Sequence, residues 1–263
     1  MLPKVNLIRG DETDYLVFAT HDLISMNLSL SGGWGEHFRT ISKMFYQDVA
    51  SPLILDIGAN LGAYCVPIGT DIAAAGGQIY AYEPQRIVFY QLCGNIFLNR
   101  LDNVFAFQQA IGETDGVVRL PAIDYAKSKN VGGFSLDADV RMRTSSIATA
   151  ADGLEADTPV LRLDSLSFPR TPCLIKIDVE GLELEVLRGG VGFLRNSGFP
   201  PILLEAWNLE WFAERRKALV AFLGELGYEL FCMGEDVVAQ HPAYHRQIRF
   251  KLVDNVISME RLK

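Results

Sequence analysis

Leu53-Ile54-Leu55-Asp56-Ile57-Gly58-Ala59-Asn60-Leu61-Gly62 begins as an apolar strand and ends as a glycine turn. Gly58 and Asn60 tolerate the backbone angles of a tight turn, and Gly62 lets a following helix start close to the strand. Strand, glycine turn and helix in this order are how open α/β sheets form a nucleotide-like cofactor site. The spacing is Asp-x-Gly-x-x-x-Gly. It departs from Gly-x-Gly-x-x-Gly, whose second glycine admits a pyrophosphate to the helix N-terminus. A carboxylate at this turn repels phosphate. S-adenosylmethionine has no phosphate and carries a sulfonium and an amino group, so Asp56 favours that cofactor over NAD.

A second strand, Gln78-Ile79-Tyr80-Ala81-Tyr82, delivers Glu83 about 20 residues after the turn, where an acidic side chain takes ribose hydroxyls. Pro84 ends that strand. Each signal alone also describes an ordinary βα junction or a loop acid. In register, they predict a cofactor site.

The chain has 263 residues, 49% of them hydrophobic, which suits one α/β domain with embellishments better than two full domains. Its net charge of −8 argues against the clustered Lys and Arg that a broad nucleic-acid interface needs. The N-terminus shows no long apolar stretch and no run of about 18 apolar residues occurs, so membrane insertion is not expected and the cytoplasm is the expected location. Cys65, Cys93, Cys173 and Cys232 lie far apart and read as reduced, mostly buried thiols.

Working outward, residues 15–19 and 23–28 read as two strands of an N-terminal hairpin joined by Thr20-His21-Asp22. Residues 36–45 read as a helix with Phe38, Ile41 and Phe45 on one face. Residues 1–50 thus form an extension, and 51–263 a main domain. From the glycine turn to Phe107 the pattern is βαβαβ, half of a doubly wound sheet. Between about residues 112 and 160 the helical period disappears among Gly116, Pro121 and Gly132-Gly133, which predicts a lid-like insertion. A buried strand resumes at residues 173–179, followed by one helix through Leu194, a strand at 202–205, a helix around Phe212–Leu226, and strands at 228–233 and 248–253.

Four pieces in order, Asp56 to Gly62, Tyr82-Glu83-Pro84, Leu163-Asp164-Ser165-Leu166 and Lys176-Ile177-Asp178-Val179-Glu180-Gly181-Leu182-Glu183, resemble an FkbM-type methyltransferase over roughly residues 52–206. Asn95, Asn99 and Leu203-Leu204-Glu205 extend the likeness. Leu182 stands where the family often has Ala. The resemblance implies a Rossmann-like class I S-adenosylmethionine-dependent methyltransferase fold, with a seven-stranded, mostly parallel sheet whose last strand is antiparallel. It also implies methyl transfer to a hydroxyl of a sugar, glycan or secondary metabolite. By similarity, Asp56, Gly58, Ala59, Asn60 and Gly62 hold the methionine part, and Glu83 with Pro84 the ribose. The extension and the insertion match less well, and those segments would choose the acceptor.

Methyl transfer needs the acceptor in line with the methyl group and a base for its proton. Asp178 and Glu205 end adjacent core strands, with Glu180 just beyond, so these acids are the catalytic candidates, Asp178 first. Asp178 could instead cap a helix or bind the donor's amino group; Glu180 and Glu183 could be first-turn helix acids. The three acids could also hold Mg²⁺, but a cationic cofactor accounts for them and no metal is expected. Gln109 and Ala110 fall where this fold presents groups to adenine. Glu36 and His37, beside Trp34, are the acceptor-side candidates of the extension. Lys127, Lys129, Arg141 and Arg143 could engage an acidic acceptor or be solvated loop charges. The expected partner is a small-molecule or glycan acceptor. The alternatives are N- or RNA methylation on the same fold, a cofactor-binding regulatory protein without turnover, and an NAD-dependent oxidoreductase.

Overall fold

The computed structural model of the chain describes residues 2–10, 12–144, 147–149, 156–253 and 256–262. In chain order the elements are β1 (Val5–Ile8), β2 (Tyr15–Phe18), α1 (Leu23–Ser31), α2 (Glu36–Tyr46), β3 (Leu53–Ile57), α3 (Cys65–Ala73), β4 (Gln78–Tyr82), α4 (Arg86–Leu98), β5 (Val104–Phe107), β6 (Ala110–Ile111) and β7 (Gly116–Leu120). There follow α5 (Ala138–Thr144), β8 (Ala156–Leu161), β9 (Leu174–Ile177), α6 (Glu183–Arg188), α7 (Val191–Asn196), β10 (Ile202–Glu205), α8 (Ala213–Glu225), β11 (Glu229–Met233), β12 (Asp236–Gln240), β13 (Ile248–Val253) and β14 (Val256–Arg261).

The main sheet has seven strands in the order β11-β12-β10-β9-β3-β4-β5. β12 runs antiparallel to both of its neighbours, while β5, β4, β3, β9 and β10 are mutually parallel. Every residue of β3 is buried, as a central parallel strand covered on both faces requires. Its side chains alternate between faces. Ile54 joins the core formed with α2, α3 and α4, whereas Leu55 and Ile57 join the core formed with α6, α7 and α8. The strand order reverses between β3 and β9, and at such a reversal the loops leave in opposite directions and open a crevice beyond the strand ends. The glycine turn and Asp178 flank that crevice.

The expected N-terminal hairpin exists with different strands. β2 pairs antiparallel with β1, and residues 23–31 are helical. Asp22 explains the difference: it has extended backbone angles and accepts a hydrogen bond from the Ser25 N–H, the geometry of a helix N-cap. The extension is fastened by side chains from α4. Asn95 Oδ1 accepts from Leu16 N at 2.6 Å while its Nδ2 donates to Leu61 O at 2.8 Å. Asn99 accepts from Asp14 N and donates to Asp14 O at 2.9 and 2.7 Å. These bonds explain the asparagine pair at a helix end.

Three further expectations are corrected. The single helix through Leu194 is two, α6 and α7, which meet at Gly189 and Gly190, positions where a Cβ would lie 2.0 Å from Gly112 O and 2.8 Å from Leu163. Asp164 then caps α7, accepting from the Phe193 and Gly192 N–H groups. The insertion contains a helix, α5, beside β6, β7 and β8, which form a small three-stranded sheet. Strand Ile248–Val253 lies outside the main sheet in a hairpin with β14, and the antiparallel strand of the sheet is β12, which the sequence pattern left unassigned. Among the described residues no helix is long and apolar enough to cross a membrane.

Replacing Asn95 with alanine strands the buried groups it satisfies. Urea denaturation of Asn95→Ala should show a loss of about 2–3 kcal/mol, with a smaller loss for Asn99→Ala.

Candidate functional site

Asp56 is fully buried, and no hydrogen bond of good geometry reaches either oxygen. Its charge is met by the ammonium of Lys176, its register neighbour on β9, 3.3 Å away. Lys176 also sits 3.3 Å from Asp178 Oδ2 and donates to Gly58 O at 2.9 Å. Burial opposes the lysine charge, but Asp178 and Asp56 outweigh it and hold Lys176 protonated. Burial likewise pushes the Asp56 carboxyl up, and the lysine draws it back. Gly58 has φ of 82°, and a Cβ there would lie 1.8 Å from Asp178 O, so only glycine lets the turn pass this close to β9.

The turn's backbone N–H groups are already spoken for within the protein. Gly58 and Ala59 donate to Tyr82 O, Asn60 to Glu83 Oε2, Leu61 to Asn60 Oδ1 and Gly62 to Ala59 O. A dinucleotide loop needs such groups pointing at a pyrophosphate. Here they bond within the protein instead, Asn60 N holding one oxygen of the Glu83 carboxylate, whose other oxygen accepts from Gln85 N at 2.8 Å. Burial pushes the Glu83 carboxyl up to about 7, against the pull of these backbone donors.

A cavity of about 550 Å³ opens above this arrangement. Gly58, Ala59 and Asn60 line it from the turn; Glu83, Pro84 and Gln85 line it from the end of β4; Gln109 and Ala110 line it after β5. Gly132, Phe134 and Leu136 of the insertion and Trp34 to Glu36 close it. Two expected cofactor residues lie outside the lining. Asp56 sits beneath it and acts through Lys176, and Gly62, with φ of 93°, faces Val66 and Leu92 where any Cβ would clash. The cavity fits S-adenosylmethionine on its own chemistry. Glu83 has acceptor capacity left for ribose hydroxyls, and Gln85, whose Nε2 donates to Val131 O, has a buried Oε1 with no partner and needs a donor such as an adenine amino group or a hydroxyl.

A second cavity, of about 660 Å³, adjoins the first and shares Asn60, Lys176, Asp178 and Glu180 with it. Carboxylate oxygens of Asp178, Glu180 and Glu205 lie within 4.8 Å of one another at this junction. Burial and repulsion from Asp178 push Glu205 up to about 8, although Trp207 Nε1 donates to its Oε2 at 2.8 Å. Burial, then Asp178 and Glu205, push Glu180 well up. Glu183 takes no part in the cavity: it accepts from Val179 and Gly181 N–H and shapes the turn that displays Glu180. Glu36 lines the first cavity and His37 the second, where His37 Nε2 lies 3.1 Å from Asp236 Oδ2. Trp34, Gln85, Asn130, Trp207, Glu235 and Asp236 are wall residues that the sequence did not announce. Lys127, Lys129, Arg141 and Arg143 of the insertion line neither cavity: Arg141 donates to Ser135 O, Arg143 stacks over Trp211 and Lys127 pairs with Asp124.

Glu180 has φ of 57°, a left-handed conformation that costs a non-glycine residue about 1–2 kcal/mol. Strain of this kind collects where a side chain must be aimed at a site. Glu180→Gly should therefore raise the midpoint of thermal unfolding by a few degrees while weakening S-adenosylmethionine binding, a split that calorimetry with and without the ligand will show.

No curated protein matches the chain. Solved structures resemble it at low identity. An FkbM methyltransferase from Methylobacillus flagellatus KT is 16% identical over 82% of this chain and 52% of that one, with a TM-score of 0.47. A SAM-dependent O-methyltransferase from Thermotoga maritima is 11% identical over 97% of this chain and 71% of that one, with a TM-score of 0.46. A precorrin-6y C5,15-methyltransferase from Geobacter metallireducens GS-15 is 16% identical over 86% and 83%, with a TM-score of 0.42. The chain thus spans about half the length of the FkbM methyltransferase structure. The model of the methyltransferase FkbM domain matches residues 56–230, from the aspartate of the glycine turn through the start of β11. With two thirds of its length covered by that model, the chain belongs to the FkbM methyltransferase family.

Proposed function

We propose that the protein transfers the methyl group of S-adenosylmethionine to a hydroxyl of a sugar, glycan or secondary metabolite. One observation carries the reading: two adjoining cavities, one suited to a nucleoside with no phosphate, meet at three carboxylates. When bound, the donor supplies an electrophilic methyl carbon on a sulfonium. Glu83 accepts hydrogen bonds from the ribose hydroxyls, with Gln85 Oε1 taking a further donor. Asp178 and Glu180 offer negative charge to the cationic end of the donor. Glu205 accepts the proton of the acceptor hydroxyl as the oxygen attacks. A carboxyl held near 8 is a stronger base than an ordinary carboxylate and still ionises close to neutral pH. Asp178, first choice from sequence, is tied to Lys176 and is better suited to orientation.

Titration with S-adenosylmethionine and S-adenosylhomocysteine, followed by thermal unfolding, should stabilise the native protein by about 2.7 kcal/mol at a hundred times the dissociation constant. NAD should give no shift, and Glu83→Ala should lose the response. No shift with either adenosyl compound would sink the reading, and release of S-adenosylhomocysteine with an acceptor separates an enzyme from a binding protein. Glu205→Gln should lower turnover by about 10²–10⁴-fold, keep donor binding and abolish the rise in rate toward pH 8.

Glu83, Glu183 and Glu205 are all raised above their ordinary value of 4.5, to about 7, 7 and 8. The folded state therefore binds their protons more tightly than the unfolded one. The stability they contribute is complete below about pH 4.5 and is lost as pH rises through 7 to 8. Unfolding of the ligand-free protein between pH 5 and 8 should show this decline, and Glu83→Gln should flatten part of it.

A further inference from the structure

The second cavity is electrostatically one-sided. Carboxylates of Asp178, Glu180, Glu205, Glu235 and Asp236 line it, and the basic residues in its lining are Lys176 and His37. Lys176 is already shared between Asp56 and Asp178, and His37 lies against Asp236. The insertion's Arg141, Arg143 and Lys127 are engaged away from the cavity. Bound donor brings its own positive charge to the junction, where Asp178 and Glu180 face both cavities. Glu205, Glu235 and Asp236 belong to the second cavity alone, and among the described residues the basic groups lining it are Lys176, which is already shared, and His37, which lies against Asp236. The same wall presents Trp34 and Trp207, and Trp207 packs edge-on against Trp211 and beside Phe212. Aromatic faces beside carboxylates suit an organic cation, which gains from the ring quadrupole as well as from the charges.

We infer that the acceptor is a polyhydroxylated molecule bearing protonated amino groups, such as an amino sugar, with its ammonium groups held by Glu235 and Asp236 beside Trp207, which leaves Glu205 to face the reacting hydroxyl. This rests on the proposed methyl transfer and narrows its acceptor class. A phosphorylated or carboxylated acceptor has no unpaired partner in the cavity and meets only repulsion. A metal ion at Asp178, Glu180 and Glu205 is the competing way to supply positive charge; it would leave Glu235, which lies outside that cluster, without a cation and Asp236 with His37 alone. Burial and mutual repulsion raise the Glu180 and Glu205 carboxyls, as expected for acids that await a cation.

The test is calorimetric titration of the full chain saturated with S-adenosylhomocysteine, in EDTA, with three probes: kanamycin as the aminated trisaccharide, maltotriose as the neutral one and trigalacturonate as the anionic one. Kanamycin should bind at a single site about ten-fold or more tightly than maltotriose, and trigalacturonate more weakly still. Glu235→Gln with Asp236→Asn should remove that preference while S-adenosylhomocysteine binding stays unchanged, since neither residue lines the first cavity. Equal or tighter binding of the neutral or anionic probe overturns the inference, as does failure of all three to bind or a preference that survives the double substitution. If Mg²⁺ in place of EDTA abolishes kanamycin binding and promotes that of maltotriose, a metal supplies the charge and the inference falls. If S-adenosylhomocysteine itself fails to bind, the proposed methyl transfer falls first and this inference with it; binding of the product without an amine preference overturns the inference alone.

Discussion

The structure depends on one buried ammonium. Lys176 reaches across from β9 to the glycine turn, where it donates to Gly58 O and balances Asp56 below and Asp178 beside it. Burying a charge costs several kcal/mol, and the cost is met only when partners are close and well placed. The lysine therefore requires both acids, Asp56 requires the lysine, and Gly58 must lack a Cβ for the strands to approach closely enough. The turn positioned in this way delivers Asn60 N to Glu83, and Glu83 in turn defines the floor of the first cavity. A charge network anchored on Asp56 beneath the cavity, with Lys176 and Asp178 reaching its lining, thus sets the geometry of its most specific wall.

Much of this was legible from local pattern. The apolar run to Asp56, the spacing to Gly62 and the acid at position 83 announce a strand, a turn and a cofactor wall, because each depends on residues close in sequence. Asp56 itself carried an ambiguous signal. A strand-end carboxylate reads equally as a ligand contact or as half of a buried ion pair, and only the β3–β9 register, which puts Asp56 opposite Lys176, decides for the second. Residues 23–31 look strand-like in hydrophobicity, but Asp22 caps them as a helix and also accepts from Val131 N of the insertion. That second bond depends on a segment 109 residues away and leaves no local trace.

The second cavity was the least legible part for the same reason. Its walls come from the extension, the insertion, the ends of β9 and β10, and the start of β12. β12 is a short strand after the Glu235 turn, and it escapes notice because Asp236 and Gln240 at its ends mask a buried Val237-Val238-Ala239 centre. Glu205 could be placed at a strand end from sequence, yet its raised proton affinity comes from burial and from Asp178 on the neighbouring strand. Both cavities combine strand ends of the regular sheet with residues of the extension and the insertion, and only the strand-end part of each is set by local pattern.

The fastening of β2 by Asn95 and Asn99 has a consequence for synthesis. Leu16 emerges from the ribosome well before Asn95, 79 residues later, which supplies the acceptor for its N–H. Tyr15, Val17 and Leu28, all buried in the finished protein, therefore wait without their cover until α4 has been made and has packed on the sheet. The extension is translated before the helix that covers it, so a nascent chain stalled before α4 displays an apolar surface of the kind that chaperones hold.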